Sequence, residues 1–326
     1  MQARRLLFTA PRRVELAPVD VPEPGPRQLL VRTLFSGIST GTELLCYRGL
    51  LDPDLPLDES IGALGGSFRY PFPYGYSCVG RVGHSPAGAP PGDLVFAFHP
   101  HQERFVASGA DLVKVGGLDP RLATLLPYVE TALQITLDAG PLVGETVVVS
   151  GLGALGLLVS LLLERAGGRV VGIEPLDWRR NIAVHLGLAA VHPGYAVEAI
   201  DGSDVPLAIE CSGNPDALAL MLEVLAQEGT VLVASWYGSK AVSLPLGGRF
   251  HRRRLTIRST QVSTIPAALS GRWSHRRRLL QALELASTLP LAALATDTIP
   301  FDRASEGYAR VDAAPTGLIH MAFGYG

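Results

Sequence analysis

The clearest pattern of hydrophobic and polar positions lies in the second half of the chain. There, short apolar runs alternate with longer stretches whose apolar residues recur at helical spacing. The predicted strands are ETVVVSG, RVVGIEP, PLAIECSG, GTVLVASW and LTIRSTQVS, and the predicted helices are ALGLLVSLLLERAG, DWRRNIAVHLG and NPDALALMLEVLAQEG. Strands that alternate with helices predict a parallel sheet covered on both faces.

The first part of the chain has a different pattern. Short β-branched runs separated by turn residues predict a barrel-like β domain, with strands in LLVRTLFSGIST, SCVGRVGH and APPGDLVFAF. A helix is predicted in DPRLATLLPYVETALQITLDAG, and the tail carries a helix in SHRRRLLQALELAST and a strand in GLIHMAFGY. The fold class is therefore α/β, with predicted domains at 1–120, 121–264 and a tail at 265–326.

Length and composition agree with a two-domain globular protein. The chain has 326 residues, of which 47% are hydrophobic and 18% charged, and its net charge of -2 does not imply a nucleic-acid partner. The most apolar stretch is interrupted by Glu164 and Arg165 before it reaches the ~20 residues of a membrane span, and the N-terminus lacks a secretory signal. Three widely separated cysteines predict a reduced, cytoplasmic protein.

The strongest motif is a glycine-rich turn in VVVSGLGALG. Gly151, Gly153 and Gly156 form the pattern G-x-G-x-x-G directly after a predicted strand and at the start of a predicted helix. These glycines permit a tight turn, close approach of a pyrophosphate and close helix-to-strand packing. The helix N-terminus, including Ala154 and Leu155, supplies N–H groups to the phosphates. The motif predicts a dinucleotide-binding site.

The next predicted strand indicates which dinucleotide is bound. Glu174 ends that strand, where a carboxylate binds the adenosine ribose 2′-hydroxyl and repels a 2′-phosphate. Arg179 and Arg180 follow closely and offer a 2′-phosphate an alternative partner. Because Pro175 and Leu176 offer no phosphate contacts, NAD is predicted in preference to NADP.

With these features, nearly the whole chain resembles the medium-chain dehydrogenase/reductase superfamily. ECSGNPDAL, GTVLVASWYG and PFDRASEGYARVD are similar to late landmarks of that superfamily. The resemblance implies a GroES-like β-barrel catalytic domain, an inserted Rossmann domain and a tail that returns to the first domain. It also assigns Cys211 and Ser212 to the cofactor site, and it implies a homodimer in which LTIRSTQVS is a plausible pairing strand.

Within the superfamily, SGISTGTE is similar to bacteriochlorophyllide a dehydrogenase, which oxidises a 3-hydroxyethyl group, and to its relatives. The relatives share the long insert YRGLLDPDLPLDESIGALGGSFRYPFPYGYS and the segment GDLVFAFHPHQ. The resemblance implies oxidation of a secondary alcohol to a ketone, or the reverse, on a fairly large substrate.

The residues at the zinc-ligand positions of the superfamily are unusual. The zinc enzymes have a cysteine shortly after a Gly-Ile pair, whereas Gly37-Ile38 is followed here by Ser39-Thr40, and Tyr76 occupies the position of their histidine. Near the third position only Glu130 is a possible ligand. Zinc in proteins is held by cysteine, histidine or carboxylate ligands in tetrahedral geometry, so no zinc is expected.

Without zinc, a side chain must donate to the substrate oxygen in reduction and act as base in oxidation. Thr42, which matches the proton-relay hydroxyl of the zinc enzymes, and Tyr76 are the two candidates. Glu43 is predicted to orient one of them, and His99 or His101 to relay a proton. For Tyr76 the alternative is an aromatic ring that packs in the former metal cavity, and for the two histidines a polar loop.

Two further functions stay open at this point. One is an NADPH-dependent quinone or enone reductase, and the other is a non-catalytic protein that binds NAD(H). The basic runs HRRRLTIR and SHRRR are either surface charge or a pocket for an anionic substrate.

Overall fold

The computed structural model describes residues 1–83, 91–200 and 202–326. The chain forms two units, of which the first combines Met1–Pro127 with Leu283–Gly326 and the second is Tyr128–Ala282. The predicted strand SCVGRVGH ends in His84, which lies outside the described residues.

The elements are numbered in chain order. The strands are β1 (Gln2–Ala10), β2 (Arg13–Asp20), β3 (Gln28–Ile38), β4 (Cys78–Val82), β5 (Leu94–Ala97), β6 (Arg104–Ser108), β7 (Val113–Lys114), β8 (Thr146–Ser150), β9 (Arg169–Ile173), β10 (Ala189–Val191), β11 (Leu207–Glu210), β12 (Thr230–Val233), β13 (Thr256–Ser259), β14 (Asp297–Pro300) and β15 (Met321–Gly324). The helices are α1 (Thr42–Arg48), α2 (Pro120–Ala123), α3 (Leu126–Ala139), α4 (Ala154–Arg165), α5 (Asp177–His185), α6 (Ala196–Ala199), α7 (Pro215–Val224), α8 (His275–Ala286) and α9 (Ala304–Ala313).

The first unit is built on a seven-stranded sheet with a separate hairpin. The sheet order is β14-β15-β3-β4-β5-β7, β6 also pairs with β3, and β1 pairs with β2. β15 runs antiparallel to β3, with Met321 opposite Ile38. The C-terminal strands β14 and β15 therefore complete the sheet of the N-terminal segment.

The second unit is a parallel six-stranded sheet in the order β10-β9-β8-β11-β12-β13. The strand order reverses between β8 and β11, so their carboxyl ends form the crevice where doubly wound sheets bind ligands. β8 is buried along its whole length, as expected for a central parallel strand with helices on both faces. The predicted Rossmann fold is confirmed.

Two details depart from the sequence pattern for physical reasons. The predicted helix after Asp119 is two helices, α2 and α3, because Pro127, the second residue of α3, has no N–H to donate to the carbonyl of Ala123 at the end of α2. The second unit extends to Ala282, beyond the predicted boundary at 264, because the buried Arg278 donates to Glu130 and Gln134 of α3.

Among the described residues, no helix combines the length and the apolar composition needed to cross a membrane.

Candidate active site

In the second unit, the glycine turn follows β8 and is tightly packed. Gly151 has φ +87°, a conformation that favours glycine, and its N–H donates to the carbonyl of Ile173 at 2.8 Å. A Cβ at Gly151 would lie 2.7 Å from the Cα of Ser212, and a Cβ at Gly156 would lie 1.8 Å from the carbonyl oxygen of Gly151. Both positions therefore require glycine for packing.

The middle glycine of the turn has a different environment. A Cβ at Gly153 would meet no atom within 4 Å, so the fold itself leaves this position open. Gly153 is the N-cap of α4, and its cap has no side-chain hydrogen bond. The first N–H groups of a helix lack intrahelical partners and attract anions. The turn therefore offers a ligand phosphate both room and N–H donors at Ala154 and Leu155.

Glu174 lies against this turn, directly after β9, and is only 2% exposed. Its Oε2 accepts a hydrogen bond from the N–H of Leu152 at 2.9 Å, and its Oε1 accepts one from the N–H of Leu176 at 3.1 Å. Arg179 Nη1 lies 3.7 Å from Oε2, whereas Arg180 donates to the Glu174 carbonyl at 2.6 Å. The backbone therefore fixes the Glu174 carboxylate beside the predicted cofactor turn.

Cys211 and Ser212 follow β11, on the other side of the turn. The N–H of Cys211 donates to the carbonyl of Ser150 at 2.8 Å, and burial raises the pKa of the Cys211 thiol well above its usual value. The completely buried Glu210 accepts hydrogen bonds from the N–H and the hydroxyl of Ser212, both at 2.6 Å. Glu210, the first residue of ECSGNPDAL, supports this segment, although it was not among the predicted site residues.

In the first unit, the most concentrated polar chemistry surrounds Glu43, the second residue of α1. Glu43 is completely buried, and three groups converge on its carboxylate. The N–H of Ser39 donates to Oε1 at 2.9 Å, the hydroxyl of Tyr308 donates to Oε2, and His101 Nε2 lies 2.9 Å from Oε2. A buried carboxylate needs such donors, because it has lost its hydration.

The contacts continue on both sides of Glu43. On one side, the Tyr76 hydroxyl donates to Ser39 Oγ at 2.5 Å. On the other side, His101 Nδ1 lies 2.6 Å from Ser36 Oγ, which lies 2.8 Å from the hydroxyl of Tyr325. The resulting polar chain consists of Tyr76, Ser39, Glu43, His101, Ser36 and Tyr325.

Gly75 makes the central contact of this chain possible. It has φ +110°, and a Cβ at this position would lie 2.6 Å from Cδ2 of His101. The imidazole therefore occupies space that any other residue at position 75 would fill. The backbone also ties His101 in place, since its N–H donates to the carbonyl of Tyr74 at 3.1 Å.

The two histidines of FHPHQ have different surroundings. The ring of His99 stacks on Phe105 at a centroid distance of 3.9 Å, and its Nδ1 lies 2.9 Å from the carbonyl oxygen of Pro100. Burial lowers the pKa of His99 to about 4, which keeps the ring neutral near pH 7. Of the two histidines predicted to relay a proton, the hydrogen bonds therefore connect His101, and not His99, with Glu43.

Thr42 begins α1 and is half-buried. It is next to Glu43 in the chain, but the hydrogen bonds of the polar chain connect Ser39 and Tyr76 instead. The structure thus brings together Glu43 and Tyr76 of the predicted catalytic residues, through Ser39.

The residues at the zinc-ligand positions do not fit a zinc ion. Ser39 and Tyr76 present hydroxyl groups that are hydrogen-bonded to each other, and neither is a usual zinc ligand. Glu130, in the second unit, accepts a hydrogen bond at 3.0 Å from Nε of the buried Arg278. Burial raises the pKa of Glu130, and Arg278 partly opposes that shift. Across residues 1–83, 91–200 and 202–326, no cluster of three or more His, Cys, Asp or Glu side chains is arranged to hold a metal ion.

The basic runs have mainly local partners. In HRRRLTIR, Arg253 donates to the carbonyl of Leu225, as does Arg249 just before the run, and the exposed Arg254 pairs with Glu228 at 2.5 Å. These contacts attach the first basic run to its own unit.

Comparison with known proteins agrees with this architecture. Residues 154–281 match the family model described as zinc-binding dehydrogenase. D-guloside 3-dehydrogenase of Escherichia coli (strain K12) is 27% identical over 349 residues, covering 98% of this chain and 99% of that protein. The 2-desacetyl-2-hydroxyethyl bacteriochlorophyllide A dehydrogenase of Cereibacter sphaeroides is 26% identical over 342 residues, covering 98% and 97%.

The same fold occurs in L-idonate 5-dehydrogenase from Escherichia coli K-12. Its crystal structure aligns with a TM-score of 0.80 at 14% identity, covering 99% of this chain and 98% of that one. The chain is therefore similar over nearly its whole length to proteins named as dehydrogenases, which supports an oxidoreductase, and its fold is that of L-idonate 5-dehydrogenase.

Proposed function

We propose that this protein is a zinc-independent, NAD(H)-dependent oxidoreductase that interconverts a secondary alcohol and a ketone. The relatives reported above are dehydrogenases, one of a guloside and one of a hydroxyethyl bacteriochlorophyllide, which supports an alcohol group on a fairly large substrate.

The observation that carries this proposal is the hydroxyl pair of Tyr76 and Ser39. The two residues occupy positions where the superfamily resemblance places zinc ligands, and their oxygens are 2.5 Å apart. A carbonyl oxygen that gains negative charge needs a hydrogen-bond donor or a metal ion. A hydroxyl pair supplies the donor where zinc would otherwise supply positive charge.

In the structure Tyr76 donates to Ser39 Oγ, but hydroxyl protons rotate and both oxygens also accept, so binding of a substrate oxygen would reverse this bond. When Ser39 donates to Tyr76, the Tyr76 proton is directed to the substrate oxygen. NADH held at the glycine turn would supply the hydride that reduces the ketone to an alkoxide, and would become NAD⁺. Tyr76 then protonates the alkoxide, and the Ser39 hydroxyl stabilises the phenolate until a solvent proton replaces the one lost. Oxidation is the reverse sequence.

The glycine turn and Glu174 support the cofactor assignment. The open position at Gly153 leaves room for a pyrophosphate at the N-terminus of α4. The Glu174 carboxylate, fixed by two backbone N–H groups, provides the acceptor for a ribose 2′-hydroxyl.

Titration with NADH and with NADPH, followed by nicotinamide fluorescence, tests the cofactor assignment. We expect NADH to bind at least about tenfold more tightly, because the Glu174 carboxylate repels a 2′-phosphate. The paired experiment is turnover of NAD⁺ with a panel of secondary alcohols, beginning with 1-phenylethanol.

The other outcomes separate the alternatives. A preference for NADPH would favour the quinone or enone reductase, with Arg179 as the phosphate partner. Tight NADH binding without turnover of any alcohol would favour a non-catalytic NAD(H)-binding protein. Failure to bind either nucleotide would contradict every one of these functions.

A further inference from the structure

The polar chain extends well beyond the hydroxyl pair to which the proposed function assigns the chemistry. His101, Ser36 and Glu43 are all completely buried, and they come from three separate parts of the first unit. Ser36 is on β3, His101 lies between β5 and β6, and Glu43 is on α1. Burying three polar side chains together is costly unless each hydrogen bond is made.

We propose that His101 is a positioning residue for Tyr76, and that Ser36 and Tyr325 hold the His101 ring in the orientation that reaches Glu43. The inference rests on the proposed function, because Tyr76 matters only if it serves the reaction. Its evidence is the order of donors and acceptors along the polar chain.

That order is set by the Glu43 carboxylate. An ionised carboxylate accepts only, so His101 must present Nε2–H to Oε2, 2.9 Å away. A neutral imidazole then accepts at Nδ1, where Ser36 Oγ lies at 2.6 Å. Ser36 uses its single proton for this bond and therefore accepts from the hydroxyl of Tyr325 at 2.8 Å. Tyr325 therefore donates to Ser36, Ser36 donates to His101, and His101 donates to Glu43.

Glu43 transmits this order to the hydroxyl pair. With Oε2 held by His101 and Tyr308, Oε1 is directed at the N–H of Ser39. The Ser39 backbone is thereby fixed, and its Oγ is held 2.5 Å from the Tyr76 hydroxyl. Losing the Ser36 hydroxyl would leave His101 Nδ1 buried without its donor, so the imidazole would lose one of the two side-chain contacts that fix its orientation toward Glu43.

Nuclear magnetic resonance tests this assignment without any substrate. The protein is labelled at tyrosine Cζ and at the histidine ring nitrogens, with Tyr76→Phe and His101→Gln used to assign the two resonances. We expect His101 to carry a proton on Nε2, donated to Glu43, and we expect Ser36→Ala to shift both the His101 ring-nitrogen resonances and the Tyr76 Cζ resonance. Other titratable groups near Glu43 are Tyr308 on α9, Cys46 on α1 and Tyr74.

Tyr325→Phe and Tyr70→Phe form a matched pair. Each variant removes one phenol hydroxyl from the first unit, but the Tyr70 hydroxyl donates to the carbonyl of Cys46, outside the polar chain. Tyr325→Phe should move the Tyr76 resonance in the same direction as Ser36→Ala but less far, and Tyr70→Phe should leave it unchanged. Tyr325→Phe also guards against a Ser36→Ala variant that fails to fold.

The kinetic arm uses 1-phenylethanol, or the alcohol of the panel that turns over fastest. Ser36→Ala should lower kcat by about 10-fold and Tyr325→Phe by about 3-fold, with little change in KM, since residues that orient an active group act at this scale. Tyr70→Phe should retain the kcat of the natural sequence.

The outcomes distinguish the inference from the proposed function. The inference would be overturned if Ser36→Ala and Tyr325→Phe shift the Tyr76 resonance no more than Tyr70→Phe does, even if alcohols are oxidised normally. The opposite tautomer of His101 would also overturn it. If the resonances shift as expected but the protein oxidises no alcohol, the positioning of Tyr76 would be supported and the proposed function would be contradicted.

Discussion

Gly153→Ala is expected to weaken NADH binding by about 10-fold or more while the protein keeps its stability. The added methyl group meets no atom of the protein within 4 Å, so the fold accommodates it. It would instead occupy the space that a pyrophosphate needs at the N-terminus of α4, and each charge-assisted hydrogen bond lost there is worth about 1.5–3 kcal/mol. Fluorescence titration measures the affinity, and thermal unfolding checks the fold.

Two other glycines provide the controls for this experiment. Gly247→Ala, also without a neighbour within 4 Å of the new Cβ, should bind NADH as the natural sequence does. Gly156→Ala should instead lower the stability of the second unit, because its Cβ would collide with the carbonyl of Gly151. If Gly153→Ala binds NADH with unchanged affinity, the turn is not the phosphate site.

Tyr76→Phe should lower kcat by about 10²–10³-fold, since it removes the proposed donor to the substrate oxygen. KM and NADH affinity should change little, because the aromatic ring remains. Steady-state kinetics of the alcohol that turns over measure both parameters. Tyr74→Phe is the control, since its ring lies 6.2 Å from that of Tyr76 in the same aromatic cluster. A Tyr76→Phe variant with normal kcat would show that Tyr76 only packs in this cavity.

The second unit could be predicted from sequence because its signals are local. Each strand and helix has its own hydrophobic pattern, and the glycines that shape the turn lie within a few residues of one another. Glu174 could be placed beside the turn because adjacent parallel strands end at the same edge of the sheet.

The polar chain of the first unit could be predicted only in part. Glu43 and Tyr76 lie in segments that resemble superfamily motifs. Their hydrogen-bond partners come close only when β3 pairs with β4 and β6 and the tail returns to the first unit. Ser36 and His101 are 65 positions apart in sequence, and Ser36 and Tyr325 are 289 apart. No local pattern distinguishes His101 from His99, because the pairing of the surrounding strands decides which ring faces Glu43.

The sequence pattern did not predict helix α1 or the ion-pair partner of Glu130, for similar reasons. The residues of α1 from Glu43 to Tyr47 are all buried, so the helix lacks the amphipathic periodicity that predicts helices. Arg278 is 148 positions from Glu130, and it belongs to a basic run whose pattern favoured surface charge. Long-range contacts of this kind are settled by packing rather than by sequence spacing.

The most direct test of the central claim is zinc content measured together with turnover. Protein purified without added metal and dialysed against a chelator is assayed with NAD⁺ and the alcohol that turns over fastest. The hydroxyl pair of Tyr76 and Ser39 predicts well under one zinc per chain and an unchanged kcat after dialysis. Stoichiometric zinc, with kcat lost on its removal and restored on its return, would contradict a mechanism in which these hydroxyls replace the metal.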